Sequence, residues 1–390
     1  MVQLSLQTLL PIALCLSSFA SAAPVDGLTK RAPKVLGLDF DVVKAPLNET
    51  LSSLVKRGTP NSPLINKSYY YITYLLLGSN KQKIGVDIDT GSSDLWVPNS
   101  QTSGTVKEYG YYDPSKSTTA KDIHKSFKIN YGDKTSSTGE FYTDTVSLGD
   151  GSGKLSNFQF ASISSTSVSQ SGILGIGLNT LEANVVYNGD VPYNNFPLAL
   201  KNAGYIDNAI YSLYLNTPDA TGGSILFGGK DVAKIDGPLI TLQHSGEYNR
   251  LDITVDSVTV AGNQITVSAP FNLDSGSTVS YFPTDSFNQI VDSLGGDTSN
   301  LFYKRPTVAC SAATGNLSFT FHGITIDVPL SDIVLETGDG GCFINLFGTD
   351  EEAILGDNFL RRAYVIYNLE NSEISLGKPK YTTASSIVSL

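Results

Sequence analysis

Apolar residues in this 390-residue chain come in short, strand-length runs separated by clusters of Gly, Ser, Asn and Asp. That is how an all-β chain with many turns reads, and long stretches of helical period are absent. The first run is different. From Leu4 to Phe19 the chain is mostly apolar, and it ends in Ala20-Ser21-Ala22, the small-x-small pattern of a signal peptidase site. Although the usual positive charge near Met1 is missing and a buried helix is the alternative, the pattern predicts a signal peptide over 1–22 and export. No later stretch approaches the ~20 apolar residues of a membrane span, so a membrane is not expected as a partner.

Length allows one large or two medium domains with sizeable cores. Behind the apolar start come two dibasic pairs, Lys30-Arg31 and Lys56-Arg57. Their position predicts a propeptide over 23–57, a zymogen, and a mature start at Gly58. Six basic and four acidic residues precede Gly58, leaving 20 and 33 in the rest, a net charge of −13. That excess argues against nucleic acid as a partner and suits work at low pH, where protonation of carboxylates relieves self-repulsion. Cys15 leaves with the signal, so in an exported chain Cys310 and Cys342 should form a disulfide, contributing roughly 3 to 4 kcal/mol. Asn66-Lys-Ser and Asn316-Leu-Ser are glycosylation sequons of the mature part.

The chain also repeats itself. Asp89-Thr-Gly-Ser returns as Asp274-Ser-Gly-Ser, each after an apolar run and before an apolar exit ending in Pro. Gly172-Ile-Leu-Gly175 returns as Ala353-Ile-Leu-Gly356, 86 residues after Asp89 and 82 after Asp274. One Asp-Thr-Gly is an ordinary turn. Two copies with matching downstream Ile-Leu-Gly imply two homologous β lobes, expected at 58–235 and 236–390, with Asp89 and Asp274 facing each other across the seam.

Two carboxylates at such a seam cannot comfortably both ionise, so the pair holds one proton over a range of acid pH. The ionised member is a general base for a water between them, and the protonated one polarises a carbonyl. That hydrolyses an amide with no metal, cofactor or covalent intermediate. Gly91 and Gly276 let backbone N–H groups approach the carboxylates, Thr90 and Ser275 can bond across the seam, and Ser92 and Ser277 can reach the outer oxygens.

In these motifs, and in Ile354-Leu-Gly-Asp-Asn-Phe-Leu, the chain resembles the pepsin-like aspartic proteases, most of all the secreted yeast candidapepsins. The resemblance covers about 68–381. It implies an all-β bilobal fold with two pseudo-twofold-related lobes, Asp89 and Asp274 as catalytic dyad, secretion as a zymogen, and a monomeric acid endopeptidase. Implied partners are protein and peptide substrates, cut beside large hydrophobic residues, and pepstatin-like inhibitors. In Ile129-Asn-Tyr-Gly-Asp it implies a mobile flap: Tyr131 would lean over the dyad and meet the indole of Trp96, while Gly132 and Asp133 would meet the substrate backbone. Thr278 and Tyr281 join Gly91, Gly276 and Ser277 in the implied substrate site. The piece between the dibasic pairs, Lys34 to Lys44, would cover the cleft or edge strands until cut, with Lys34 or Lys44 neutralising acids near the dyad.

There are departures. Residues 99–112 lack the small disulfide loop of most relatives, so this entrance loop should be more mobile or differently packed. Asp87, two before Asp89, stands where relatives line the primary pocket with an apolar residue; it either admits Lys or Arg there or bends away to pair with Lys81 or Lys83. Asp94 reads as structural. Among rival readings, no Gly-x-Ser-x-Gly, P-loop or His-Glu-x-x-His spacing supports another hydrolase class. A non-enzymatic binding protein on the same scaffold would be signalled by loss of either aspartate.

Overall fold

The computed structural model describes residues 34–44 and 69–390, apart from 169, 218, 246–249, 303 and 338–339. The expected signal peptide, both dibasic pairs, Gly58 and the sequon at Asn66 lie outside the described residues. Asn316 is exposed at the start of strand Asn316–Phe321.

Strands dominate, as the short apolar runs require. Gln82–Asp89 is buried along six consecutive positions. Such a run is expected of a strand with neighbours on both faces, and this one lies parallel to Gly172–Gly175. Lys121–Asn130, at the rim of the same sheet, alternates between exposed and covered positions, the period of a half-solvated strand.

The sequence repeat is a repeat of pairing. Tyr69–Leu77 runs antiparallel to Gln82–Asp89, which lies parallel to Gly172–Gly175; that strand is antiparallel to Leu95–Pro98, itself parallel to Leu155–Thr166. In a seven-stranded sheet the series recurs. Asp252–Val260 runs antiparallel to Asn263–Leu273, which lies parallel to Ala353–Leu355; that strand is antiparallel to Tyr281–Pro283, itself parallel to Phe347–Thr349. Each motif aspartate therefore sits at the end of a strand whose parallel neighbour is an Ile-Leu-Gly strand. Both Ile-Leu-Gly glycines press on the motif turns: a Cβ on Gly175 would lie 2.6 Å from the Ser93 nitrogen, and one on Gly356 2.4 Å from the Ser277 oxygen.

Tyr364–Asn368, Glu373–Pro379 and Ile235–Gln243, all from the later half of the chain, continue the 13-stranded sheet of the earlier half. The line drawn at 235 thus runs along one continuous sheet. Strand Leu36–Lys44 is inside that sheet as well, between Gly222–Phe227 and Tyr69–Leu77. It was expected over the cleft or an edge. Instead both of its edges carry ladder hydrogen bonds, and Lys34 pairs with Asp207 at 2.8 Å rather than with acids near the motifs.

The disulfide Cys310–Cys342 is formed and joins the approach to strand Asn316–Phe321 to strand Cys342–Ile344. The cysteine-free segment 99–112 is held by other means. Thr102 donates to the Ile163 carbonyl at 2.5 Å, Tyr112 donates to Asp144 at 2.7 Å, and Val106 and Tyr112 are fully buried.

Candidate active site

The Asp89 and Asp274 turns are built alike. Gly91 N–H donates to Asp89 Oδ1 and Gly276 N–H to Asp274 Oδ1, both at 2.8 Å. The Ser92 hydroxyl donates to Asp89 Oδ2 at 2.5 Å, and that of Ser277 to Asp274 Oδ2 at 2.6 Å. Each carboxylate is thus fixed by one amide and one hydroxyl, which charge assistance makes strong. Each also leans on the opposite glycine: a Cβ on Gly91 would come within 2.6 Å of Asp274 Cγ, and one on Gly276 within 2.7 Å of Asp89 Oδ1. No side chain fits there, so glycine is what permits the two carboxylates to meet.

The seam is locked beneath them. Thr90 Oγ1 donates to the Leu273 carbonyl at 2.7 Å and accepts from the Ser275 N–H at 2.9 Å. Reciprocally, Ser275 Oγ donates to the Ile88 carbonyl at 2.8 Å and accepts from the Thr90 N–H at 3.2 Å. Both side chains are buried, and each donates one hydrogen bond and accepts one across the seam.

Above the pair, strands Lys121–Asn130 and Ser136–Leu148 form a hairpin whose tip is 131–135. The Tyr131 N–H donates to the Thr135 carbonyl at 2.9 Å, and Lys134 takes a positive φ of 66° to close the turn. The buried Trp96 indole donates to the Tyr131 hydroxyl at 2.6 Å. Burial, and then the Asp89 charge, push that phenol well up, so it remains protonated.

The cleft holds about 340 Å³ and brings together Asp89, Gly91, Ser92, Asp274, Gly276 and Ser277 with Tyr131, Gly132 and Asp133 of the hairpin, as well as Thr278 and Tyr281. Thr90, Ser275 and Trp96 stand behind its wall. Burial, then the Asp133 and Asp274 charges, push the Tyr281 phenol up to about 12; its ring stacks on Phe347 at 5.3 Å.

Asp87 is not among the residues lining the cleft, and the Lys83 ammonium lies over the Tyr74 ring, 4.0 Å from its centroid. Asp87 is buried, and its Oδ1 accepts the Tyr71 N–H at 2.8 Å. A buried carboxylate needs donors, and here a main-chain amide of the adjoining strand supplies one where a solvated lysine cannot follow. The Asp87 charge bears on Asp357, buried next to Arg361; burial holds the Asp357 carboxyl well above the usual range. Asp94 is fully buried and accepts the Ala183 N–H at 2.8 Å and the Tyr193 hydroxyl at 2.7 Å, tying the first motif to helix Ala183–Asn188.

Motif reasoning did not identify Ile173 and Ile354 as cleft residues, yet both line it, one on each side. The doubled Ile-Leu-Gly was the available signal, since each copy runs beside a motif strand. Arg250, Glu351 and Glu352 also line the Asp274 side, without any local pattern that points to them.

The chain matches the family model for eukaryotic aspartyl proteases over residues 70–379. It is 41% identical to candidapepsin-3 of Candida albicans over 97% of this chain and 98% of that one. It is 41% identical to candidapepsin of Candida tropicalis, over 97% of each, and 40% identical to secreted aspartic protease 8 of Candida albicans, over 98% and 97%. Its fold is similar to that of an aspartic proteinase from Irpex lacteus, with a TM-score of 0.70 at 19% identity over 90% of this chain and 99% of that one. The chain therefore belongs to the eukaryotic aspartyl proteases and is a secreted aspartic-type endopeptidase.

Proposed function

We propose that the enzyme cleaves proteins at acid pH through a water activated between Asp89 and Asp274, with large hydrophobic residues preferred around the scissile bond. The observation that carries this reading is the reciprocal wedge: each carboxylate rests against the other's glycine, each with one amide and one hydroxyl bond of its own. Two acids so close share one proton at acid pH, so one member takes the proton of the water while the other donates to the carbonyl oxygen. Each outer oxygen accepts from a serine and each inner one from a glycine amide, and the water is placed between the inner pair. The hydrophobic preference is supported by the Asp89 side of the cleft, where Ile129, Val168, Ile173, Leu181 and Ala183 make an apolar wall.

The hairpin tip closes over an extended substrate. Its Gly132 would meet nothing within 4 Å even with a Cβ added, so its main chain is accessible to a peptide backbone. Tyr131, anchored by Trp96, orders the tip without spending a charge. In this reading a pepstatin-like inhibitor occupies the same groove, and the active unit is the monomer.

Activation follows cleavage after Lys56-Arg57. The strand Leu36–Lys44 lies upstream of that cut, yet it has two ladder partners in the large sheet. Removal of the propeptide then requires those ladders to open, so processing should be accompanied by local rearrangement near Tyr69–Leu77.

Asp89→Asn and Asp274→Asn, made separately, test the central claim. Each should lower acid-pH hydrolysis of denatured haemoglobin by at least about 10⁴-fold while leaving the thermal transition in place, since one acid cannot hold both roles. A folded single variant with more than a few per cent of the original rate would remove the dyad assignment.

A further inference from the structure

The pseudo-twofold relation sets Gly172-Ile-Leu-Gly against Ala353-Ile-Leu-Gly, so Ile173 corresponds to Ile354, Ser171 to Glu352 and Gln170 to Glu351. Gln170 and Ile173 line the Asp89 side of the cleft; Glu351, Glu352 and Ile354 line the Asp274 side. One half carries neutral side chains at these positions and the other carries two acids.

Glu352 is ion-paired with Arg250, which also lines the cleft. The pair is partly buried, where charges act more strongly than in water. Glu352 Oε1 is buried and, among the described residues, accepts no hydrogen bond, so Glu352 acts on the cleft through its charge. Glu351 is exposed. A third acid, Asp133 at the hairpin tip, lies close enough for its charge to act on Tyr281. Three acids against one guanidinium leave this half negative.

The walls around these charges are apolar: Ile354, Phe347 and the ring of Tyr281. A long aliphatic stem ending in a cation matches both features, because such side chains lay methylenes on apolar surface and keep the charge at a polar tip.

We propose that Glu352, assisted by Glu351 and Asp133, makes the Asp274 half of the cleft selective for a substrate Lys or Arg, with Arg250 the competing cation that limits the selectivity. Acceptance of basic residues, first sought at Asp87, is thereby assigned to another strand and to the opposite side of the cleft. The inference rests on the endopeptidase reading. It adds a charged preference to the hydrophobic one, each on its own half.

Matched peptides, identical except for Lys or Leu at each of the three positions on either side of the scissile bond, test it at pH 5.5, above the ordinary glutamate range. Rates are normalised by active-site titration with a pepstatin-like inhibitor. At one position, Glu352→Gln should lower the Lys/Leu ratio of kcat/KM about tenfold, whereas Arg250→Gln should raise it severalfold. Exposed Glu351→Gln should shift it about twofold in the same direction as Glu352→Gln. Because the two main variants move the ratio in opposite senses, a general loss of packing cannot imitate the result. Ratios that stay within twofold of the parent at all six positions, with Leu peptides still cut, would overturn the assignment and leave the protease reading intact. Failure of the parent enzyme to cut any peptide would overturn both.

Discussion

On the Asp89 side of the cleft, Ile173 stands with Gln170, Ile129 and Leu181; on the Asp274 side, Ile354 stands with Glu351, Glu352 and Arg250. The main chain beneath is the same on both sides, down to the parallel Ile-Leu-Gly strand and the amide and serine bonds of each carboxylate. The two halves therefore agree wherever the proposed chemistry needs a pair and differ wherever the substrate is one-sided. A peptide has a direction, so a symmetric dyad gains by having unlike walls.

The largest effects should come from breaking what the halves share. Gly91→Ala and Gly276→Ala each place a methyl within 3 Å of the opposite carboxylate, so something must move. Misplacing a reacting group by about 1 Å costs on the order of 100-fold in kcat, and both variants should lose at least that much. Steady-state kinetics at acid pH checks it. A large loss in one variant and none in the other would show that the two turns are alike in backbone alone.

A smaller effect, on stability, should follow from opening the seam. Thr90→Val leaves the Ser275 N–H without its acceptor and the Leu273 carbonyl with only the Tyr367 hydroxyl of its two hydroxyl donors; Ser275→Ala takes the acceptor from the Thr90 N–H and the hydroxyl donor from the Ile88 carbonyl. Each buried group left unsatisfied costs roughly 1 to 3 kcal/mol. Denaturant midpoints of both single variants and the double variant should show coupling, because the two hydroxyls serve one network. Strictly additive losses would mean that the two halves are held independently.

How much of this was legible in the sequence follows from the range of each interaction. Asp89, Gly91 and Ser92 bond within three residues of one another, and so do Asp274, Gly276 and Ser277, so the doubled motif carried the geometry of both turns. The bond between Trp96 and Tyr131 was reached only through the family resemblance, since nothing local to either residue names the other. Placement that depends on which strand lies alongside was not legible. Leu36–Lys44 reads as an extended piece, yet its two neighbours come from Gly222–Phe227 and Tyr69–Leu77. Asp87 lies in a strand that the apolar run announces, but the Tyr71 amide that holds it belongs to another strand. Arg250 and Glu352 are far apart in the chain, and no period or motif links them.

The smallest effect separates the halves by pH. On the Asp89 side, Glu182 is fully buried, accepts the Tyr193 N–H at 2.8 Å, and is pushed up to about 9 by burial with help from the Asp94 charge. Asp94 is pushed up to about 6, also by burial. Among the described residues no cation bears on either, whereas buried Asp357 on the other side has Arg361 beside it. A carboxyl whose folded pKa lies above its unfolded value contributes stability that is complete below the unfolded value, about 4.5 for Glu182. That contribution declines as pH rises toward 9, because the unfolded chain sheds its proton first. The first motif and helix Ala183–Asn188 should therefore weaken between pH 4.5 and 9. Glu182→Gln removes the titration, and relative to the parent it should gain on the order of 1 to 2 kcal/mol at pH 7 and nothing at pH 4. Thermal unfolding in an Asp274→Asn background, which prevents self-digestion, measures this. If the parent and Glu182→Gln lose stability in parallel from pH 4 to 7, Glu182 is not the titrating group, and the pH sensitivity of the Asp89 half passes to Asp94.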